Sequence, residues 1–294
     1  MRNFDALNPS IPFGQWVAGG ISWMQVHLAG LFDAIQFTLG WSYQTLFGLL
    51  SGPPYIVMVV VFALVAWLAD SWRLAVFTGI GFYVIRALDQ WNNAMSTLSL
   101  VVVAVVAALV ISIPLGIWAA KSDAVSRVVK PILDLMQTMP AMVYLIPAIT
   151  IFGIGPTPGA IATLIFALPP GVRLTELAVR GVDRELVEAG QAFGSSPRRI
   201  LRQIELPVAQ PTIMAGVNQV IMLALSMVVL AGMAGAGGLG GDVVASLSRL
   251  NVPLGIDAGT AVVIIAIFLD RVSSAVGSTR KRRFTFRGAT GARA

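Results

Sequence analysis

From Ala94 to Ala120 the chain carries no charged residue, and the same is true from Pro53 to Ala69. A bilayer core about 30 Å thick is crossed by roughly 20 apolar helical residues. Within it no water satisfies backbone N–H and C=O groups, so a single-chain apolar run of this kind must close its hydrogen bonds as helix. By that measure about seven stretches qualify as spans. They are Pro53–Ala69, Trp72–Leu88, Ala94–Ala120 with Pro114 inside it, Pro140–Gly155, Gly159–Val179, Val208–Met233 and Asp257–Val276. Pro147 interrupts the fourth, and Pro169 with Pro170 the fifth. The composition agrees: 56% of the residues are hydrophobic and 12% charged, about half the charge of a soluble domain. The expected fold class is therefore an all-α membrane protein.

The basic residues orient these spans, because Lys and Arg stay preferentially on the cytoplasmic side. Lys121, Arg127 and Lys130 follow the third span, Arg173 to Arg202 lie near or within the connection from fifth to sixth, and Arg280 to Arg293 follow the seventh. All three groups fall on one side, leaving little beyond Arg2, Arg86 and Arg249 on the other. The N-terminus is thus expected outside and the C-terminus in the cytoplasm. Topology also accounts for the net charge of +6 and the pI near 10.3. The basic residues form no aromatic-interleaved face, so no nucleic acid partner is expected.

Three segments follow from this reading. Residues 1–52 form an external segment, 53–277 the membrane domain, and 278–294 a basic cytoplasmic tail able to meet anionic lipid. Met1 to Ser10 lacks a basic start before an apolar run, so no cleavable signal is expected there. From Trp16 to Leu39 apolar residues recur at helical spacing with Gln25, Asp33 and Gln36 between them. That pattern predicts an amphipathic helix lying in the membrane interface; an eighth span would spoil the charge asymmetry.

Several chemistries are missing. There is no cysteine, which removes disulfides and thiolate metal sites. His27, the single histidine, reads as an interfacial polar residue and not a metal ligand. No Gly-x-x-x-x-Gly-Lys-Ser/Thr phosphate loop occurs. The glycines from Gly235 to Gly241 lack the Lys-Ser/Thr that such a loop needs, and read as an external turn or a gate element. No acidic pair stands mid-span for ion coupling; Asp270 and Arg271 come late in the seventh span and read as an end-of-helix pair. No catalytic residue, metal or cofactor is expected. Uphill transport by such a chain needs a partner's energy.

The longest polar interruption, residues 180–207, carries the clearest motif. Glu188-Ala189-Gly190-Gln191-Ala192-Phe193-Gly194 is followed by Ser195-Ser196-Pro197 and ends Ile204-Glu205-Leu206-Pro207. The spacing predicts a helix over about 183–193, a Gly194 break, and a second helix over about 197–204 with Ser195 or Ser196 as cap and Pro197 in its first turn.

This loop resembles the Glu-Ala-Ala, Gly, Ile-x-Leu-Pro signature of permease subunits in bacterial binding-protein-dependent ABC importers. Matching positions are Glu188, Ala189, Gly194, Ile204, Leu206 and Pro207, with Gly190 in place of the second alanine. Further segments, PILDLMQTMPAMVYLIPA from Pro131, IFALPPGVR from Ile165, PTIMAGVNQVIMLALSMVV from Pro211 and GGLG from Gly237, are similar to the osmolyte branch of that family. The resemblance implies the type I ABC importer permease fold and import of a quaternary ammonium osmolyte such as glycine betaine, proline betaine, choline or carnitine. It also implies a cytoplasmic ATPase docked on the loop, an external solute-binding protein and a second copy of the chain. Pro147, Pro169, Pro170, Asn218 and Gln219 are the candidate pore-lining residues. The alternatives are an ion-coupled secondary osmolyte carrier, another substrate class handled by the same permease family, and a non-transporting membrane scaffold or sensor.

Overall fold

The computed structural model describes the backbone of residues 12–285 and, Phe13 aside, the side chains of residues 12–275. All regular structure in that range is helical. Two helices precede the first expected span: α1 (Phe13–His27) and α2 (Ala29–Ser51). The apolar stripe expected as one helix is therefore divided at Leu28. Pro53 and Pro54 stop α2, and Pro54 stands as the N-cap of α3 (Tyr55–Ala69). Ser71 then caps α4 (Trp72–Ala87), its hydroxyl accepting from the Leu74 N–H, as N-cap serines do.

A 31-residue helix, α5 (Trp91–Lys121), passes through Pro114 without interruption. Ser122 caps α6 (Asp123–Thr138) by accepting from the Val125 N–H. A 3-10 turn (Ala141–Tyr144) leads to the short α7 (Leu145–Phe152). Gly153 and Gly155, at φ 78° and 148°, then turn the chain into α8 (Pro156–Arg180), where Pro169 and Pro170 sit inside an unbroken helix. The connection holds α9 (Arg184–Ala192) and α10 (Pro197–Ile200) before α11 (Leu206–Ala231). A 3-10 turn (Gly232–Ala234), α12 (Gly238–Arg249) and α13 (Val252–Thr285) complete the chain.

The all-α membrane class stands, and the expected spans are built unequally. Four continuous helical stretches are long and apolar enough to cross: Trp91–Lys121, Pro156–Arg180, Pro197–Ala234 and Val252–Ala275. Two bent pairs raise the number to six: α2 with α3, at 104°, and α6 with the Ala141–Phe152 segment, at 108°. The stretch expected as a fourth span, Pro140–Gly155, is only a 3-10 turn and an eight-residue helix. At 1.5 Å per residue eight helical residues rise only about 12 Å, so α7 completes a path begun by α6. Likewise α3 and α4, of 15 and 16 residues, rise about 22–24 Å each and stand as a hairpin packed on α13.

Contact between helices relies on small residues, because lipid provides no hydrophobic drive to bring apolar helices together. A Cβ on Gly116 of α5 would lie 2.7 Å from the Val172 carbonyl of α8. One on Gly171 of α8 would lie 2.5 Å from Ser112 Oγ of α5, and one on Gly216 of α11 3.0 Å from Leu174 Cβ of α8. So α5, α8 and α11 approach almost backbone to backbone. The α3–α4 hairpin uses rings instead: Phe62 stacks on Phe82 at 4.4 Å, and Phe268 of α13 meets both edge-on at 5.5 and 5.3 Å.

Polar bonds mark the two ends of the bundle. At one end Asn93 of α5 donates to Asp242 of α12 at 2.6 Å, the Leu239 N–H reaches Thr97 Oγ1 at 2.8 Å, and Gly155 N–H reaches the Ala234 carbonyl at 3.1 Å. At the other lie Lys121, Arg180 and Glu205. Thus α5 and α8 run in the same direction, and α11 returns against the other side of α8. Gly116→Ala is expected to cost about 1–3 kcal/mol by overpacking, measured as a lowered thermal unfolding midpoint of the detergent-purified protein.

Candidate coupling site

The loop after α8 is built as the sequence predicts at its start and differently at its end. Asp183 caps α9, accepting from the Glu185 N–H at 3.1 Å. After Phe193 the chain reverses at Gly194, whose φ of 75° is a left-handed conformation that costs an L-residue roughly 1–2 kcal/mol. A Cβ there would meet nothing within 4 Å. Glycine is needed for its backbone conformation, and the space beside it is open. Ser196 is the N-cap of α10, with Pro197 in the first turn.

The second helix does not stop at Ile204. It continues through a π-helical turn, Leu201–Glu205, directly into α11, giving one helical rod from Pro197 to Ala234. Pro207 has no N–H for the ladder, and its ring crowds the carbonyl four residues earlier. A widened turn just before it accommodates both defects.

Gly190, the departure from the signature, has a packing reason. It is buried, and a Cβ on it would stand 2.7 Å from Ile204 Cδ1 and 3.3 Å from Ile200 Cγ1. Thus α9 lies against α10 and the π-turn, with Ile200 and Ile204 filling the seam. The opposite face of α9 is bare: Glu188, Ala189, Gln191 and Ala192 are exposed, and Phe193 at the tip is 89% exposed. Leu206 packs beneath, against Ala178, Val179, Val182 and Ala209, while Pro207 is exposed.

Charged groups secure this loop to the bundle. Glu205, with a side chain only 6% exposed, pairs with Lys121 at the end of α5, the ammonium donating to Oε1 at 2.6 Å. Glu176 of α8, 5% exposed, accepts from Ser126 at 2.7 Å and Arg180 at 3.0 Å, with Lys130 at 3.4 Å. Arg180 in turn donates to the Ala119 carbonyl at 2.8 Å and pairs with Asp123 at 2.8 Å. Arg173 pairs with Asp134. Two adjoining clefts result. One of about 410 Å³ is lined by Lys121, Val179, Arg184, Glu188, Gln191 and Glu205; the other, of about 360 Å³, is lined by Lys130, Asp134, Arg173, Glu176 and Arg180.

So Glu188 and the loop's own Glu205 share a cleft, Gly190 meets Ile204, and Gly194 stands apart at the turn. Sequence reasoning missed Glu176, Glu205 and their partners. The signal was present in Arg173, Glu176 and Arg180, spaced three and four apart on one helix face. The candidate pore residues do not converge within one chain. Pro169 and Pro170 are buried in the α5–α8–α11 packing, and Pro147 is half-buried in α7. Asn218 donates to Ser274 of α13 at 3.0 Å, and Gln219 beside it is exposed. His27 stacks on Trp23 at 4.4 Å. Among the described residues no ion pair joins Asp270 to Arg271, and the side chains of the tail from Arg280 lie outside that range.

A chain with these multiple apolar helices and a short helical loop on its charged end has the build of a transporter's membrane subunit. Residues 112–277 match the family described as binding-protein-dependent transport system inner membrane component, and the chain belongs to that family of ABC importer permeases, multi-pass proteins of the inner membrane. It is 44% identical over 287 residues to the glycine betaine/proline betaine transport system permease protein ProW of Escherichia coli (strain K12), covering 96% of this chain and 81% of that one. It is 43% identical to the glycine betaine transport system permease protein OpuAB of Bacillus subtilis (strain 168), covering 94% and 98%. The glycine betaine/carnitine transport permease protein GbuB of Listeria monocytogenes serotype 1/2a (strain 10403S) is 44% identical, covering 93% and 98%. Among solved structures, the inward-facing MetNI methionine ABC transporter aligns at a TM-score of 0.55 with 22% identity, over 64% of this chain and 92% of that one. That likeness establishes the fold, the type I ABC importer permease fold.

The α9 seam makes a graded prediction. Gly190→Ala presses on the tip of Ile204 and more lightly on Ile200, and is expected to leave assembly intact. Gly190→Leu is expected to prise α9 from Ile200 and Ile204 and reduce the ATPase recovered with the permease severalfold, read by co-purification.

Proposed function

We propose that this chain is the membrane subunit of an importer for glycine betaine and related quaternary ammonium osmolytes, energised by a separate ATPase. The observation that carries this reading is identity of 43–44% across at least 93% of the chain to three permease proteins whose names all include glycine betaine. Glu188, Ala189, Gly190, Gly194, Ile204, Leu206 and Pro207 form the coupling loop, which presents the bare face of α9 and Phe193 to the ATPase. The chain has no nucleotide site of its own, and ATP closure of the ATPase moves the loop. An external binding protein delivers the solute and supplies most of the selectivity, holding the cation in an aromatic cage.

The charged end faces the cytoplasm, with the N-terminus outside and the C-terminus inside. The segmentation into residues 1–52, 53–277 and 278–294 follows from that orientation, with α1 and α2 near the outer interface and the tail on anionic lipid. Two copies enclose the path. Support for this lies on α11, where Pro211, Ala215, Gln219, Met222 and Ser226 form an exposed stripe at helical spacing. Gln219 lines the path on that stripe. Asn218 and the prolines Pro147, Pro169 and Pro170 shape it from behind.

Gly194→Trp, which forces a bulky residue into the left-handed turn, is expected to abolish both ATPase co-purification and osmolyte uptake. Normal values of both would remove the loop from this role. Gln219→Leu is expected to change the uptake rate of glycine betaine while the ATPase remains bound. Uptake into proteoliposomes is expected to stop with vanadate and to survive collapse of ion gradients; the opposite pattern would identify an ion-coupled carrier.

A further inference from the structure

We infer that the Lys121–Glu205 ion pair is the strut that carries loop movement into α5, so that α5 and α11 move as one body during the transport cycle. The inference rests on the coupling reading of the loop and adds a positioning residue pair to it.

Three observations lead there. First, the second half of the loop is not a separate helix: α10, the π-turn and α11 are one rod. Any push on α10 therefore travels along α11 without passing a flexible joint of loop. Second, the carboxylate of Glu205 is buried at the π-turn, and Lys121 is its ion-pair partner among the described residues. A buried carboxylate stripped of its cation is costly, so the two groups resist separation. Third, Lys121 is the last residue of α5, the helix that packs against α8 through Gly116 and Ser112. Its neighbour Ala119 is held by Arg180 of α8.

The geometry gives the pair a mechanical role beside packing: Ile117 and Ala120 of α5 share an apolar cluster with Leu206 and Ala209 of the rod, contacts that can slide, whereas the ion pair ties two fixed points. Near this end of the bundle the Gly116 and Gly171 contacts join α5 to α8, and none of the glycine contacts described above joins α5 to the rod. Without the pair, displacement of α10 would swing α11 past α5. With it, α5 follows. Lys121, whose side chain is 44% accessible, can be solvated alone while the buried Glu205 carboxylate cannot, so Glu205→Gln removes the tie without leaving a buried charge unpaired.

The test uses the assembled complex with its ATPase and binding protein in proteoliposomes, measuring ATPase retained, ATP hydrolysed and glycine betaine taken up. Glu205→Gln is expected to retain the ATPase and its basal hydrolysis, while solute moved per ATP falls about tenfold or more, as expected when a buried pair loses one charge. The double exchange Lys121→Glu with Glu205→Lys is expected to recover most of that ratio. An unchanged ratio in Glu205→Gln would overturn the strut. The chain has no native cysteine, so Lys121→Cys with Glu205→Cys gives a second test independent of charge. Before joining, this variant is expected to couple as poorly as Glu205→Gln, and joining the two ends with a short, reducible bifunctional methanethiosulfonate reagent is expected to restore transport. Transport that stops on joining and resumes on reduction would show that the ends part during the cycle, and would overturn the strut. Failure of the coupling reading itself would appear separately, as ATPase retained by Gly194→Trp.

Discussion

Three helices of this protein meet where glycine leaves no room for a side chain, and the rest of the structure is arranged around that meeting. In lipid, apolar side chains gain little by burying themselves against one another, so cohesion must come from close packing and a few polar bonds. Gly116, Gly171 and Gly216 let α5, α8 and α11 approach at backbone distance. Against that bundle the α3–α4 hairpin is held by a different device, the ring cluster of Phe62, Phe82 and Phe268 with α13. Close backbone contact yields a stiff centre, and stiffness is what a subunit needs if force applied at one end is to open a path elsewhere.

Charge completes the arrangement by being confined to the ends. Glu176 and Glu205 are both buried, and both are paired with cations from other turns or helices. Each sits where a span meets an element outside it: Glu176 where α8 meets α6, Glu205 where the loop's rod meets α5. Buried pairs add little net stability compared with apolar packing, but breaking one is expensive. They therefore specify which ends stay together. The loop is mechanically part of α11 through the π-turn, so Pro207 lies within a continuous rod and not at the boundary of a separate helix.

Much of this was legible in the residues. The class of fold follows from uncharged runs such as Ala94–Ala120, because lipid leaves the backbone no alternative to helix. The α9 start, the Gly194 turn and the Ser196–Pro197 cap follow from local backbone chemistry. The family signature survived the exchange of alanine for Gly190, and the fold explains that exchange by the seam with Ile200 and Ile204. Less legible was how each span is built: hydropathy treats Pro140–Gly155 as a run of suitable composition, whereas α7 is one short piece bent away from α6. Hydropathy reports solvent preference and contains no information on direction.

Two kinds of fact separate at the coupling loop. What the sequence alone determined is local or compositional: a lipid-solvated helical chain, charge gathered at one end, and a helix–glycine–helix element carrying a recognisable spacing. Those properties depend on near neighbours in the chain or on totals, which a string of residues displays directly. Only the tertiary structure decided that Lys121 reaches Glu205 across 84 residues, that Asn218 turns to Ser274, and that the loop continues as α11. Those depend on which helices pack and at what rotation, and that is set by the summed fit of many small contacts spread along the chain.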